Sequence, residues 1–181
     1  MKLTPQKTAF LFPGQGSQAL GMGKELAAAY PVAKETFEEA DQILGFALSK
    51  IMWGDADALN DTANTQPALF IHSIAALRVF MRLMPKFEPA CLSGHSLGEI
   101  TALCAARSIS FSDGLKLVRR RGELMRHAGE IAPGGMAAIL GLEIPILEEI
   151  CAEASQENEG IQVANDNCPG QIVISGAKPA L

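Results

Sequence analysis

The chain has 181 residues, 48% of them hydrophobic, and a net charge of −5 from 15 basic and 20 acidic side chains. That length suits about one domain, and the apolar share supplies a real core. The acidic balance argues against nucleic acid or an anionic membrane as partner, and the one basic run, Arg119-Arg120-Arg121, is too small for a nucleic-acid footprint.

In chain order, residues 8–12 form a compact apolar run that predicts a strand. Pro13-Gly14-Gln15-Gly16-Ser17-Gln18 follows as a Gly-rich loop, without the Lys-Ser or Lys-Thr of a nucleotide-binding P-loop. Helices are expected over 23–29 and 32–44, with a helical turn over 55–60. The strongest helix spans 66–84, with apolar residues at 69, 70, 74, 77, 80 and 81. Residues 89–93 read as a buried strand, and residues 97–106 as a helix free of proline. Ser112 or Asp113 is placed to cap a further helix that runs to about 129. Strands that alternate with helices predict an α/β fold with a parallel sheet covered by helices.

After Pro133-Gly134-Gly135 the pattern changes. A strand over 136–142, a helix over 144–155, a strand over 161–165, a Pro169-Gly170 turn and a strand over 171–175 give the order β-α-β-β. That is the first two-thirds of a ferredoxin-like unit, which needs another helix and strand. Residues 178–181 would open that helix, so the sequence reads as truncated, with residues 1–131 as one part and 132–181 as a second.

Gly94-His95-Ser96-Leu97-Gly98 is a G-x-S-x-G pentapeptide at the predicted strand-to-helix turn, the setting of a nucleophile elbow. Glycines at 94 and 98 remove Cβ atoms where strand and helix would crowd. Ser96 then sits at a helix N-terminus, where free N–H groups and the helix dipole favour a developing oxyanion. A Gly-rich β-α turn can also match this pattern by chance. A serine hydroxyl needs a neighbouring base, and His72, His95 and His127 are the only histidines. His95, adjacent to Ser96, has the wrong geometry for a base and reads as a packing residue. His72 lies on an apolar helix and reads as a satisfied core histidine, while His127 is placed near a helix end facing solvent.

Cys91, Cys104, Cys151 and Cys168 are widely spaced, with no C-x-x-C pair and no histidine at ligand spacing. They read as reduced, buried thiols, which leaves no metal site and no disulfide framework. The N-terminal residues fit neither a signal peptide nor a spanning helix, so the expected compartment is the cytoplasm.

Phe12-Pro13-Gly14-Gln15-Gly16-Ser17-Gln18, Gln66-Pro67-Ala68, Gly94-His95-Ser96-Leu97-Gly98-Glu99, Arg121-Gly122-Glu123-Leu124-Met125 and Asn167-Cys168-Pro169-Gly170-Gln171 occur in one order along the whole chain. Together they resemble the malonyl-CoA:acyl carrier protein transacylase family. The resemblance implies an α/β-hydrolase-like large subdomain with a ferredoxin-like small subdomain inserted, both incomplete here. It implies a malonyl group carried from malonyl-CoA to acyl carrier protein in fatty-acid synthesis, with no cofactor. Ser96 would carry that group as an ester, and the backbone N–H groups of Gln15 and Leu97 would form the oxyanion hole. Arg121 would pair with the free malonyl carboxylate. The family's base is a histidine well beyond the ferredoxin-like insertion, and nothing in these residues matches it.

Chemistry supports the role of Arg121, because malonyl differs from acetyl by one carboxylate and a guanidinium grips a carboxylate through two hydrogen bonds. Met125, four residues on, shares its helix face and would give the acyl group an apolar wall. The bland alternative makes Arg121 one of three solvated arginines. Asn167 and Gln171 either border the pantetheine channel or fix a turn. A serine esterase would use the same elbow but needs no carboxylate anchor. A polyketide-synthase acyltransferase is disfavoured by a start near residue 1, and a non-catalytic fragment remains the third reading.

Overall fold

In the computed structural model, which describes residues 3–155 and 160–181, β1 (Ala9–Phe12) and β2 (Cys91–Gly94) pair in parallel. The first two residues read for targeting signals lie outside that range. Between the strands run α1 (Lys24–Ala29), α2 (Pro31–Leu44), α3 (Leu48–Gly54), α4 (Ala56–Asn60) and α5 (Thr62–Leu83). After β2 come α6 (Leu97–Ala105) and α7 (Phe111–Ile131), then β3 (Gly134–Leu140), α8 (Ile144–Ala154), β4 (Ile161–Cys168) and β5 (Gln171–Ala177). The chain is thus α/β, and it divides into two units, one ending at Arg126 and the other beginning at His127.

In the first unit, Phe12 pairs with Gly94, and the His95 N–H donates to the Phe12 carbonyl at 3.1 Å. This register sets the loop after β1 beside the turn after β2, at the carboxyl ends of parallel strands where open α/β sheets place their sites. Phe37, Leu48, Met52, Phe70, Leu97 and Leu115 belong to a core that joins α2, α3, α5, α6 and α7. Each fully buried side chain of this size stabilises by about 1.5–3 kcal/mol relative to exposure.

Several elements differ from the sequence reading. α3 was not expected: Trp53 packs on Phe37 and donates its indole N–H to the Met22 carbonyl at 3.1 Å, a long-range contact that composition does not show. α5 begins at Thr62, four residues before the expected start, because Asp61 Oδ1 accepts from the Ala63 N–H at 2.8 Å and caps it. Pro67 therefore sits inside the helix. The cap of α7 is Ser110, not Ser112 or Asp113: Ser110 Oγ accepts the Asp113 N–H at 3.0 Å and donates to Asp113 Oδ2 at 2.7 Å. The Ser110 hydroxyl thus accepts from the backbone of residue 113 and donates to its side chain, an N-cap held from both sides.

In the second unit, β3, β5 and β4 form an antiparallel sheet in that order. Leu147 and Cys151 of α8 meet Ile161, Ile172 and Ile174 from the sheet. Pro169 and Gly170 turn β4 into β5, with Gly170 at φ 81°, and β4 continues three residues past its expected end. Residues 178–180 form a turn rather than the opening of a helix.

Candidate active site

Between β2 and α6, the backbone of Ser96 is strained, at φ 53° and ψ −105°. Such conformations cost on the order of 1–3 kcal/mol and persist only where the surroundings impose them. Here they do. A Cβ on Gly94 would overlap the carbonyl of Gly98, and a Cβ on Gly98 would overlap the carbonyl of Phe12. Strand, turn and helix pass so closely that only glycine fits at both positions, and the serine between them takes up the bend. Leu97 is the first residue of α6, so its N–H has no acceptor one turn back within the helix.

Ser96 Oγ accepts a hydrogen bond from Arg121 Nη2 at 2.8 Å. Arg121 Nη1 donates to Gln66 Oε1, also at 2.8 Å, and Gln66 Nε2 donates to Met125 Sδ at 2.9 Å. Gln66 is fully buried, so its amide is satisfied at both ends by residues of α7. Arg121 and Met125 do share a face, as their spacing predicts, but Met125 Sδ also serves as the acceptor that orients Gln66. No sequence argument assigned Gln66 a role. The signal available was a glutamine in an otherwise apolar helix run, which burial turns into a polar group that must find partners.

The Gly-rich loop lies beside the turn that carries Ser96, for a Cβ on Gly14 would come 2.8 Å from the His95 carbonyl oxygen. Gln15 Nε2 donates to Thr62 Oγ1 at 3.3 Å, and Gln18 Nε2 donates to Asn60 Oδ1 at 3.0 Å. The Gly-rich loop is thereby tied to the start of α5, the helix that carries Gln66 four residues on. Gly122 lets α7 approach: a Cβ there would lie 2.6 Å from the Thr62 carbonyl oxygen. A guanidinium, a strained serine hydroxyl at a helix N-terminus and a Gly-rich loop thus meet at one point. Chemically, that is an anion-binding group beside a nucleophile.

The histidines are elsewhere or differently employed. The His95 ring lies against Gly14, whose Cβ would come 2.7 Å from Nδ1. His72 is half-buried beside Gly23, and its Nδ1 is buried with no hydrogen-bond partner, so the satisfied core histidine expected from sequence is not what forms. Burial lowers its pKa from the usual 6.5. His127 is exposed and lies 3.5 Å from Glu130. The cysteines are free, but only Cys151 is fully buried; Cys104 is half-buried, and Cys91 and Cys168 are exposed, because β2 and β4 turn those positions outward. Asn167 and Gln171 lie on β4 and β5, at the ends that meet in the Pro169-Gly170 turn.

A cleft of about 1010 Å³ lies away from this cluster, lined by Phe10, Leu77, Arg82, Phe87 and Arg107 among others, and by none of Gln15, Gln66, Ser96 or Arg121. Among the described residues no group of His, Cys, Asp and Glu could hold a metal ion, and no helix is long and apolar enough to cross a membrane.

The profile of the acyl transferase domain family matches residues 9–181. The malonyl CoA-acyl carrier protein transacylase of Bacillus subtilis is 50% identical over 171 residues, covering 94% of this chain and 53% of the relative. Among solved structures, an acyl-carrier-protein-S-malonyltransferase from Bartonella henselae superposes with a TM-score of 0.88 at 47% identity, over 95% of this chain and 55% of the other. The malonyl CoA-acyl carrier protein transacylase from Coxiella burnetii gives a TM-score of 0.91 at 39% identity, over 99% and 57%. The chain spans about half the length of the relatives it matches. On a match that runs from β1 to the last residue, the chain belongs to the acyl transferase domain family.

Proposed function

We propose that this chain carries the nucleophile and the acid-recognition half of an acyltransferase that moves malonyl from malonyl-CoA to the phosphopantetheine thiol of acyl carrier protein, in cytoplasmic fatty-acid synthesis. The observation that carries the reading is the 2.8 Å hydrogen bond from Arg121 Nη2 to Ser96 Oγ. A guanidinium fixed at the nucleophile is suited to an acyl group that ends in an acid, which it can grip through two hydrogen bonds.

In this mechanism the malonyl carboxylate takes the Arg121 N–H now donated to Ser96, while Gln66 keeps hold of Nη1. Ser96 Oγ, released, attacks the thioester carbonyl. The N–H groups of Gln15 and Leu97 receive the oxyanion, and such a donor is worth about 3–4 kcal/mol of transition-state stabilisation. CoA leaves as the thiol, and Ser96 holds malonyl as an ester. The carrier-protein thiol then attacks that ester and restores the serine. In the family that the chain resembles, the base is a histidine that these residues do not match; it takes the Ser96 proton and gives it to the departing CoA sulfur. An esterase reading has no use for the guanidinium.

The finer architecture in this proposal is an α/β-hydrolase-like part bearing the elbow and a ferredoxin-like part inserted into it. The parallel β1–β2 pair with its strained serine supports the first, and the order β3-β5-β4 with α8 packed on the sheet supports the second.

The test is incubation with malonyl-CoA followed by mass spectrometry. The expected result is a malonyl adduct on Ser96 that is missing from Ser96→Ala and much weaker with acetyl-CoA. Adducts on other residues, or equal acetyl labelling, contradict the proposal. Half-length coverage of the relatives favours one second reading, a piece that binds without acylation, and complete absence of adduct supports it.

A further inference from the structure

Pro67 removes a backbone donor from the second turn of α5. A proline inside a helix has no N–H for the carbonyl four residues back, which here is that of Ala63. Ala63 is fully buried, so its carbonyl needs another partner. Arg119 supplies it: Nη1 donates to the Ala63 carbonyl at 2.9 Å and to Asn64 Oδ1 at 2.8 Å. The same guanidinium donates through Nε to Glu123 Oε1 at 2.7 Å and lies over the Phe46 ring at 5.2 Å. Its position is therefore determined from several directions.

Ala63 and Asn64 immediately precede Gln66, and Arg119 precedes Arg121 by two residues on α7. Two arginines of one helix thus hold two neighbouring points on the first turns of another. Gly122, against the Thr62 carbonyl, sets their close approach. We infer that Arg119 is a positioning residue: by taking the carbonyl that Pro67 leaves free, it fixes the register of α7 on α5 and so keeps Arg121 between Gln66 and Ser96. It touches no substrate and acts through Arg121. The inference rests on the reading of Arg121 as the acid anchor.

Arg119→Met keeps the aliphatic stem over Phe46 and removes every donor. The quantity to read is the ratio of malonyl to acetyl labelling at Ser96. We expect Arg119→Met to lower it about tenfold, within the 10²-fold that a 1 Å misplacement produces. Adding Pro67→Ala should restore most of the loss, because residue 67 then offers its own N–H to the Ala63 carbonyl. Glu123→Gln, which weakens the ion pairs with Arg119 and Arg120 but leaves the Ala63 contact, should leave the ratio near wild type while lowering the melting temperature slightly. If Arg119→Met lowers the melting temperature but leaves the ratio unchanged, Arg119 only stabilises and the inference fails. An equal loss with and without Pro67→Ala also overturns it.

If Arg119→Met does not fold, Arg119→Leu, which also removes every donor, gives the same comparison. A several-fold loss supports positioning, and a wild-type ratio overturns it. If wild type takes no malonyl, the functional reading fails, yet crystals of the variants still decide the inference. An Arg121–Ser96 separation beyond roughly 3.5 Å in Arg119→Met that closes again in the double variant supports it. An unchanged hydrogen bond in both contradicts it.

Discussion

The two units hold themselves together by different means. The unit ending at Arg126 commits partly buried polar groups to partners far away in sequence: Arg121 to Ser96 and Gln66, Arg119 to Ala63 and Asn64, and Arg78 to Glu39 and Thr36. The unit beginning at His127 is a hairpin-built sheet against one amphipathic helix, with an apolar core of Leu147, Cys151, Ile161, Ile172 and Ile174. Strain and buried polar atoms gather in the first, and local rules are obeyed in the second. That difference supports placing the proposed chemistry in the first unit, because local consistency is broken where function demands it.

The sharpest way to break the comparison uses glycines. Gly98→Ala drives a Cβ into the Phe12 carbonyl, where only backbone can yield. The expected loss is more than about 3 kcal/mol, beyond ordinary overpacking, read by urea unfolding of the first unit. A loss under 1 kcal/mol would mean that β1 and the elbow are not so tightly apposed. In the second unit, Leu147→Ala should cost about 2–5 kcal/mol, as core truncations do, read by hydrogen exchange at β3, β4 and β5. Gly170→Ala should cost only about 1–2 kcal/mol: φ is 81°, but a Cβ meets nothing closer than 4.0 Å. Glycine supplies space at 98 and conformation at 170. Comparable losses at 98 and 170 would erase that distinction.

The smallest effect concerns His72. Burial lowers its folded pKa below 6.5, so the unfolded chain binds the proton more readily. Stability contributed by neutral His72 is therefore present above 6.5 and lost as pH falls through the folded value. Denaturant titrations from pH 7 to 5 should show a slope that flattens in His72→Leu. An identical slope in both proteins would show that His72 is solvated.

The order of strands and helices was legible because each segment advertises itself locally: the apolar run of 69–81, the glycines at 94 and 98, the Pro169-Gly170 turn. The missed elements depend on contacts between distant residues. α3 needs Phe37 and Met22, and the early start of α5 lies in Asp61 despite a proline five residues into the helix. At the proposed site, Ser96 was read from the G-x-S-x-G turn, whereas Arg121 came with the family resemblance, its residue type alone leaving it one of three solvated arginines. Gln66 was not legible, since a buried glutamine looks like any polar residue until its two partners are placed. The run Arg119-Arg120-Arg121 shows the same limit, for three identical side chains end up with three fates: a helix clamp, an exposed ion pair with Glu123, and a group at the serine.

The most direct test of the central claim is the ratio of malonyl to acetyl labelling at Ser96, measured in wild type and in Arg121→Ala. Hydrogen bonds to a charged group contribute about 1.5–3 kcal/mol, so malonyl labelling should fall roughly 10- to 100-fold while acetyl labelling changes little. Equal losses for the two acyl groups would show that Arg121 supports the fold around Ser96 and does not select the acid.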